Sequence, residues 1–446
     1  MSKRKKLEYH IRKTLLFFLI FFFIYKVSFP IIPAQITSRR LSSVLLFVFA
    51  LIDNHFKLDV KRKDSVFWHL ILLFCVIVLH LLGLLIFVGE GYGNLALESF
   101  GDFVVFMPFA FWGITRLFKS EDELMETIKN VSILQAIIII ICIANSTVRG
   151  IIANVFYSQN YWGENYSIDQ LFLGGYQFGI GCITSTGALQ LGFGLIAITF
   201  FFFKGTKKTI VLAIELVLII FAEIALARTG LVLSIVSIIC ILSFKKDLKH
   251  FIITIVVFIF IAFIAYMLIV YSSLGSRLER VFQRLIRLVN NHGISLFFDS
   301  YFHGSSTSIP PVSKETLIGT GVISGTSGNG VYVNVDGGFL KNYVGLGLIV
   351  ALFFYAVLCI MIIKRAKNSN SEIGKRIILM SLLFLLIGEF KEYFIVGFPI
   401  VLVFAFIQLQ ETPSLFMHDS CDNQESTYLK ENNSKVQSRT KKGYNT

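Results

Sequence analysis

The stretch "VFWHLILLFCVIVLHLLGLLIFV" at residues 66–88 decides the fold. It contains no Asp, Glu, Lys or Arg, and apolar residues would lie on every face of a helix formed from it. A helix rises about 1.5 Å per residue, so a run of this length crosses the roughly 30 Å hydrocarbon core of a bilayer. The stretch therefore predicts a membrane-spanning helix.

The rest of the chain has the same character. Its 446 residues are 55% hydrophobic and 15% charged, with a mean hydropathy of +0.73, whereas soluble domains carry about 25% charged residues. Apolar runs of about 18 or more residues recur, which predicts an all-α polytopic integral membrane protein with about 12 transmembrane helices. The predicted spans are 14–32, 41–56, 66–88, 100–117, 131–147, 178–203, 209–226, 230–244, 250–272, 339–363, 376–390 and 394–409.

Charges in the connections predict the orientation. Loops such as "KLDVKRKD" and "KRAKNSNSEIGKR" are rich in Lys and Arg, and the alternate loops are mostly poor in them. Because basic loops stay in the cytoplasm, both termini are predicted to be cytoplasmic. The net charge of +13 belongs to these short loops, which argues against a nucleic-acid partner. No small-residue cleavage site follows "MSKRKKLEYHIRK", so the first span is predicted to stay uncleaved.

These predictions divide the chain into segments. They are a cytoplasmic basic N-terminus (1–13), transmembrane helices 1–9 (14–272) with an outer loop (148–177), a large extracytoplasmic loop (273–338), transmembrane helices 10–12 (339–409), and a cytoplasmic disordered tail (410–446). The cysteines show no disulfide or metal spacing and are interpreted as core residues apart from the last, in the tail: Cys75, Cys142, Cys182, Cys240, Cys359 and Cys421.

A short amphipathic helix is predicted at the start of the large outer loop, in "RLERVFQRLIRLVNNH" (277–292). Its arginines fall within roughly an 80° arc of one helix face: Arg277, Arg280, Arg284 and Arg287. They oppose the positive-inside tendency, so a function is worth considering. The helix either contacts lipid headgroups or presents a phosphate-binding edge, for which Arg277 and Arg280 are favoured.

Arg228 lies in "EIALARTGLVLS" between two apolar runs with almost no loop around it. An arginine so close to hydrocarbon is costly unless it is paired or lines a wet cavity. Glu215 and Glu223 are possible partners in a structural ion pair. We favour the other interpretation, an anion-binding arginine that lines a cavity.

The large loop ends in a glycine-rich stretch that lacks the GxxxxGK[ST] pattern of a nucleotide loop. Glycines there are interpreted as allowing close backbone approach. Asp336 stands just before the next span, and Lys341 and Tyr343 stand at its start. Asp336 could cap that helix, bind sugar hydroxyls or act as a base.

The last outer turn, "GEFKEYF", contains Glu389, Lys391, Glu392 and Tyr393. Its three charges could form a small ion-pair cluster or complete a polar site, and both interpretations stay open.

Two histidines of the outer loop, His292 and His303, stand alone. The sequence has no HExxH pattern and no grouped His, Asp and Glu at metal-ligand spacing, and it has no GxSxG nucleophile elbow. We therefore predict no catalytic metal and no cofactor.

Taken together, the chain resembles the bacterial O-antigen and capsular-polysaccharide polymerases of the Wzy type, within the O-antigen ligase/polymerase superfamily. "LARTGLVLS" (226–234) is similar to the family's Ser-Arg-Thr/Gly stretch, with Ala227 in place of the Ser. "SLGSRLERVFQRL" (273–285) is similar to the arginine-bearing start of the large loop. "LIGTGV" (317–322), followed by "VDGGFLKNYVGLGLI" (335–349), is similar to the family's GxG, Asp-x-Gly and Gly-x-x-Gly segments.

The resemblance implies a GT-C-like, metal-independent glycosyltransferase in the bacterial inner membrane. It would join repeat units carried on undecaprenyl pyrophosphate, and a chain-length regulator is a further possible partner. Asp336, and next Glu392 or Glu389, would be the catalytic base. Basic side chains would bind the substrate and stabilise the pyrophosphate leaving group: Arg228, Arg277, Arg280, Arg284, Lys341 and Lys391.

Two other functions stay open. An O-antigen ligase would use the same donor, but family ligases carry a His near the position of Asp336, and this chain has none there. A lipid-linked oligosaccharide flippase or transporter more often has related halves, and none is evident here. Family members often carry an Arg followed by Pro-Asn before the sixth span, and this chain lacks the Pro-Asn. Arg149 and Gln177 are therefore left without an assigned role.

Overall fold

The computed structural model describes residues 3–27, 36–53, 65–88, 95–156, 179–181, 184–244, 310–322, 325–326, 332–333 and 337–411. This part of the chain is mostly helical. The helices are Lys3–Ile24 (α1), Ser38–Asp53 (α2), Ser65–Val88 (α3), Leu95–Leu117 (α4), Glu121–Ala144 (α5), Ser146–Phe156 (α6), Thr184–Lys204 (α7), Thr209–Leu226 (α8), Arg228–Phe244 (α9), Lys314–Ile318 (α10), Gly338–Gly345 (α11), Leu348–Asn368 (α12), Glu372–Lys391 (α13) and Phe398–Glu411 (α14).

One small strand pair accompanies the helices. Gly325–Thr326 (β1) and Tyr332–Val333 (β2) are antiparallel, with Gly325 opposite Val333. The pair lies between α10 and α11 in the sequence, so it belongs to the large loop predicted there.

Serine caps fix where two of the long helices begin. The Ser120 hydroxyl accepts a hydrogen bond from the backbone N–H of Glu123 and starts α5, whose first turn is acidic. The Ser371 hydroxyl accepts from the backbone N–H of Gly374 and starts α13. Such caps satisfy N–H groups that have no partner inside the helix. The polar turns therefore determine where these helices begin, and the apolar runs determine how long they are.

The ends of the long helices gather at two faces of the bundle. We call the face at which α1 begins the N-terminal face, and the other the opposite face. Ion pairs join different helices, or a helix and a connection, at the N-terminal face. They are Arg12–Asp53 at 3.1 Å, Lys204–Asp122 at 2.6 Å, Lys207–Glu126 at 2.9 Å and Arg365–Glu411 at 2.7 Å.

At the opposite face, side chains from other helices bind the last carbonyl groups of α1. Arg39 of α2 donates to the carbonyl oxygens of Phe23 and Ile24, both at 3.0 Å. Gln190 of α7 donates to the same Ile24 oxygen at 3.1 Å. These contacts supply partners that carbonyl groups at a helix end need where water is scarce.

The bundle has a buried centre and an apolar exterior. Nearly all of Ser185–Lys204 in α7 is buried, whereas most of α3 and α12 is not. Large apolar side chains are exposed on α3 and α12: Leu72, Val76, Leu79, Ile86, Leu352, Phe353 and Ile360. An exterior of this kind suits lipid and not water.

Six helices of the described part are long and apolar enough to cross a membrane. They are Phe67–Ile86, Ser99–Leu117, Glu121–Ala144, Ser185–Lys204, Thr209–Leu226 and Leu348–Asn368. Together with the apolar exterior, they support an all-α membrane protein. The predicted span 250–272 and most of the large loop lie outside the described residues.

The prediction of one uninterrupted span over 339–363 is wrong at its start. α11 ends at Gly345, and α12 begins at Leu348. Between them Gly347 has φ +85°, a left-handed conformation that interrupts the helix and favours glycine. The apolar periodicity continues through this break, so the sequence pattern did not reveal it.

Candidate functional site

A buried carboxylate organises the opposite face where α11, α12 and α13 meet. Glu389, near the end of α13, is fully buried. Its Oε1 accepts hydrogen bonds from the Tyr355 hydroxyl at 2.7 Å and from Asn342 Nδ2 at 3.1 Å. Its Oε2 accepts from the backbone N–H groups of Phe394 and Ile395 at 2.9 and 2.7 Å. Four donors compensate the loss of water around this carboxylate.

The same carboxylate connects several segments of the chain. Asn342 belongs to α11 and Tyr355 to α12, and Asn342 also donates to the Tyr355 hydroxyl at 2.6 Å. The two backbone donors belong to the turn that leads into α14. Glu389 therefore holds the broken helix α11–α12 against α13 and the turn after it.

Two glycines at the start of α11, the N-cap Gly337 and the first residue Gly338, allow this approach. A Cβ atom on Gly337 would lie 2.6 Å from the Phe390 carbonyl oxygen. One on Gly338 would lie 2.6 Å from the Glu392 carbonyl oxygen and would overlap the Glu389 carboxylate. Heavy atoms do not approach so closely, so this backbone has no room for a side chain. The glycines of "VDGGF" thus bring α11 directly against the end of α13.

Glu392 occupies a different environment although it is only three residues further on. It is the C-cap residue of α13 and is half-buried. The Ser185 hydroxyl, at the start of α7, donates a hydrogen bond to its Oε1. Glu392 is therefore the more accessible of the two carboxylates, whereas Glu389 is enclosed.

Both lysines of the predicted site lie at this end of the bundle. Lys341, next to Asn342 in α11, is half-buried and interacts electrostatically with Glu389. Lys391 is half-buried at the last position of α13. The structure therefore brings Lys341, Lys391 and Glu392 to one end of the molecule, as a shared site would require.

A loop packs on the broken helix beside this cluster. The N–H groups of Thr320 and Gly321 donate to the carbonyl oxygens of Val344 and Gly345, both at 2.8 Å. The prediction of close backbone approach is confirmed here, since a Cβ atom on Gly319 would lie 2.5 Å from the Leu346 carbonyl carbon. The segments "LIGTGV" and "NYVGLG", separate in sequence, are thus paired in space.

Arg228 begins α9 at the opposite end from the basic N-terminal face, but its side chain lies outside the described residues. Glu223 is fully buried and accepts a hydrogen bond from Ser234 at 2.8 Å. Glu215 forms an ion pair with Lys129 of α5. Pairing of Arg228 with Glu215 or Glu223 stays a prediction, because it depends on a side chain outside the described residues.

The remaining predicted site residues are outside the described part of the chain: Arg277, Arg280, Arg284, Arg287, His292, His303 and Asp336. Their roles stay predictions. The N-cap residue of α11 is Gly337, which has no side chain to cap the helix. No three His, Cys, Asp or Glu side chains are grouped like metal ligands within the described ranges.

Three residues that contact Glu389 or Glu392 were not predicted from the sequence. Ser185, Asn342 and Tyr355 each contact one of the two carboxylates of "GEFKEYF". Asn342 and Tyr355 are polar groups inside a predicted span, and a polar group inside a span is itself a signal of a buried partner. The partner's identity needs the tertiary structure, because the pairs are separated by 34 to 207 residues.

Comparison of the chain with protein-family models, with curated proteins and with solved structures gives no significant match. The family resemblance therefore rests on the sequence motifs. The structure adds where the described motif residues lie relative to one another.

Proposed function

We propose that this protein polymerises oligosaccharide repeat units carried on undecaprenyl pyrophosphate into O antigen or capsular polysaccharide. The reaction takes place at the outer face of the bacterial inner membrane. A hydroxyl of the incoming unit attacks the anomeric carbon of the growing chain, the glycosidic bond to the lipid carrier breaks, and undecaprenyl pyrophosphate leaves.

One observation supports this proposal above the others. Two separate segments with the family resemblance, 317–322 and 337–349, pack on each other. Both also lie at the end of the bundle that carries Glu392, Lys341 and Lys391. These motif segments form one packed unit beside the last outer turn, which supports a shared substrate site.

The chemistry assigns a role to each group of residues. Asp336 or Glu392 accepts the proton of the attacking hydroxyl. The leaving pyrophosphate gains charge in the transition state, and fixed cations stabilise it. Arg228, Arg277 and Arg280 supply guanidinium groups for this purpose, because their planar forks bind phosphate oxygens in pairs.

Arg284, Lys341 and Lys391 complete the proposed substrate site. Lysines contribute as compact charges, and both lie at the end of the bundle that carries the carboxylates. No metal ion takes part in this mechanism.

The same proposal fixes the orientation of the molecule. The N-terminal face carries the basic connections around α5, α8 and α13, so it faces the cytoplasm together with both termini. The opposite face, with the candidate site, then faces the outer side, where the substrate is delivered. Twelve spans with a GT-C-like arrangement would complete the bundle, and a chain-length regulator is a partner for the outer face.

Deletion of the gene in its own host tests the proposal. Surface polysaccharide is resolved by gel electrophoresis before and after complementation. We expect lipid A-core capped by a single repeat unit if the product is an O antigen, or loss of long chains if it is a capsule. Loss of even the single unit would favour the ligase or flippase function, and unchanged long chains would contradict the proposal.

A further inference from the structure

The first half of the broken helix ends in apolar surroundings, and its carbonyl groups need donors there. The last carbonyl groups of a helix have no partner inside the helix, and in lipid each unsatisfied group is costly. The loop at 319–322 supplies donors for two of them. Thr320 N–H binds the Val344 oxygen, Thr320 Oγ1 binds it too at 3.1 Å, and Gly321 N–H binds the Gly345 oxygen. The next carbonyl group, that of Leu346, needs a donor from elsewhere.

His80 of α3 is that donor. Its Nε2 lies 3.1 Å from the Leu346 carbonyl oxygen and 3.2 Å from the Ile318 carbonyl oxygen. Carbonyl oxygens only accept hydrogen bonds, so the Nε2 atom carries the hydrogen. Ile318 is the last residue of α10, and Leu346 is the C-cap of α11. One imidazole therefore binds the C-terminal ends of two helices, where the backbone partial charge is negative.

These two carbonyl groups lie where the backbone that follows α10 meets the backbone between α11 and α12, a point that we call the crossing. Ile318 and Leu346 each precede a glycine with positive φ, Gly319 at +107° and Gly347 at +85°. A Cβ atom on Gly347 would lie 2.5 Å from the Ile318 carbonyl oxygen. The crossing therefore has backbone-to-backbone contacts, and beside it Val322 packs against Tyr343 and Val344. Hydrogen bonds and this small apolar cluster together hold its position.

His80 lies in an apolar helix, where a polar side chain needs a hydrogen-bond partner. α3 is the most apolar of the candidate spans and exposes large apolar side chains on its outer surface. A polar side chain in such a helix is unfavourable unless a hydrogen-bond partner offsets the loss of water. Here the partners are the two carbonyl groups, and they belong to the segments that carry the family resemblance.

We propose that His80 is a positioning residue that holds the loop 319–322 and the broken helix α11–α12 in register against α3. The same broken helix carries Asn342 and Lys341, so its placement sets the geometry of the Glu389 and Glu392 end of α13. His80 thereby acts on chain polymerisation without contacting the substrate. The part of this inference that concerns chain length rests on the proposed function.

Three variants test it. His80→Leu removes the donor but keeps a side chain that lipid tolerates better than histidine, so insertion into the membrane is preserved. His80→Gln keeps an N–H donor near the position of Nε2. His69→Leu is the matched control, since His69 lies on nearly the same face of α3, roughly 16 Å closer to the N-terminal face.

Two measurements are made on each variant. Hydrogen exchange of purified protein in detergent reports the backbone N–H groups of Thr320 and Gly321. In His80→Leu we expect these two N–H groups to exchange about five- to tenfold faster, because that factor corresponds to the loss of one net hydrogen bond. The other two variants should exchange at wild-type rates. Polysaccharide gels should show shortened chains in His80→Leu and recovery in His80→Gln.

Each other outcome overturns the inference. Wild-type exchange in His80→Leu would mean that the contact does not hold the loop, and a His80→Gln variant as impaired as His80→Leu would exclude the N–H donor. Faster exchange with normal chain lengths would exclude the positioning role. Failure of the proposed function appears separately, as normal polysaccharide in the deletion strain, and the exchange comparison still decides whether His80 holds the crossing.

Discussion

At the scale of residues, Glu389 and Glu392 show how burial separates two similar side chains. Both belong to "GEFKEYF", and the sequence offers no criterion to choose between them. The carboxylate oxygens of Glu389 accept four internal hydrogen bonds, so this residue has a structural role in joining α11, α12 and α13. Glu392 has a half-buried position and one serine partner among the contacts described above, which suits a group that takes up a proton.

The two glutamates therefore respond differently to neutralisation. Glu389→Gln turns one acceptor into a donor that faces other donors, and we expect it to destabilise the protein by about 1–3 kcal/mol. Glu392→Gln keeps an acceptor for Ser185, so stability should stay near wild type while polymerisation falls about a hundredfold or more. Thermal unfolding in detergent and polysaccharide gels measure the two effects.

Asp336→Asn belongs in the same experiment because Asp336 is the other candidate base. Wild-type chain lengths in Glu392→Gln, with short chains in Asp336→Asn, would assign the base to Asp336. Equal stability of Glu389→Gln and wild type would contradict the structural role of Glu389.

At the scale of elements, the broken helix α11–α12 is the feature that distinguishes this end of the bundle. A continuous helix would satisfy its own carbonyl groups. The break exposes three of them, and Thr320, Gly321 and His80 bind them. Non-helical backbone inside a membrane protein is tolerated where other protein groups supply its hydrogen bonds. The break and the loop at 319–322 are therefore one structural unit.

Gly347→Ala tests that unit. The left-handed backbone alone costs a residue with a Cβ atom about 1–2 kcal/mol, and the contact with the Ile318 backbone adds to it, so we expect a clear loss of thermal stability. Gly83→Ala is the matched control, because Gly83 lies in α3 with nothing within 4 Å of a Cβ atom. There, alanine should be neutral or stabilising by up to about 1 kcal/mol.

Thermal unfolding of both purified variants in detergent decides this prediction. Equal midpoints for Gly347→Ala and Gly83→Ala would mean that the backbones at the crossing can separate at little cost.

At the scale of the whole molecule, the charges divide the bundle into two unlike faces. The N-terminal face holds interhelical ion pairs of Lys or Arg with Asp or Glu. The opposite face holds the Arg40–Asp102 ion pair, helix ends bound by polar side chains, and the candidate site. In the proposed orientation the N-terminal face lies in the cytoplasm, as the positive-inside tendency predicts.

Cysteine labelling in spheroplasts tests this orientation. In a background without the native cysteines, Val312→Cys is placed at the opposite face, where Val312 is 69% exposed. Lys367→Cys is placed at an exposed position of the N-terminal face. A membrane-impermeant maleimide should label Val312→Cys in intact spheroplasts and Lys367→Cys only after lysis. The reverse pattern would contradict the proposed orientation.

The sequence by itself determined the helical membrane class, because long apolar runs need no tertiary information to be recognised. It also singled out "LIGTGV" and "GEFKEYF" as unusual segments between spans. Only the tertiary structure decided that α11 and α12 are separate helices, because the apolar pattern runs on through Gly347 while backbone conformation and long-range donors end the helix. For the same reason only the structure distinguished Glu389 from Glu392 and gave His80 its partners, since burial and hydrogen bonds between distant segments are properties of packing.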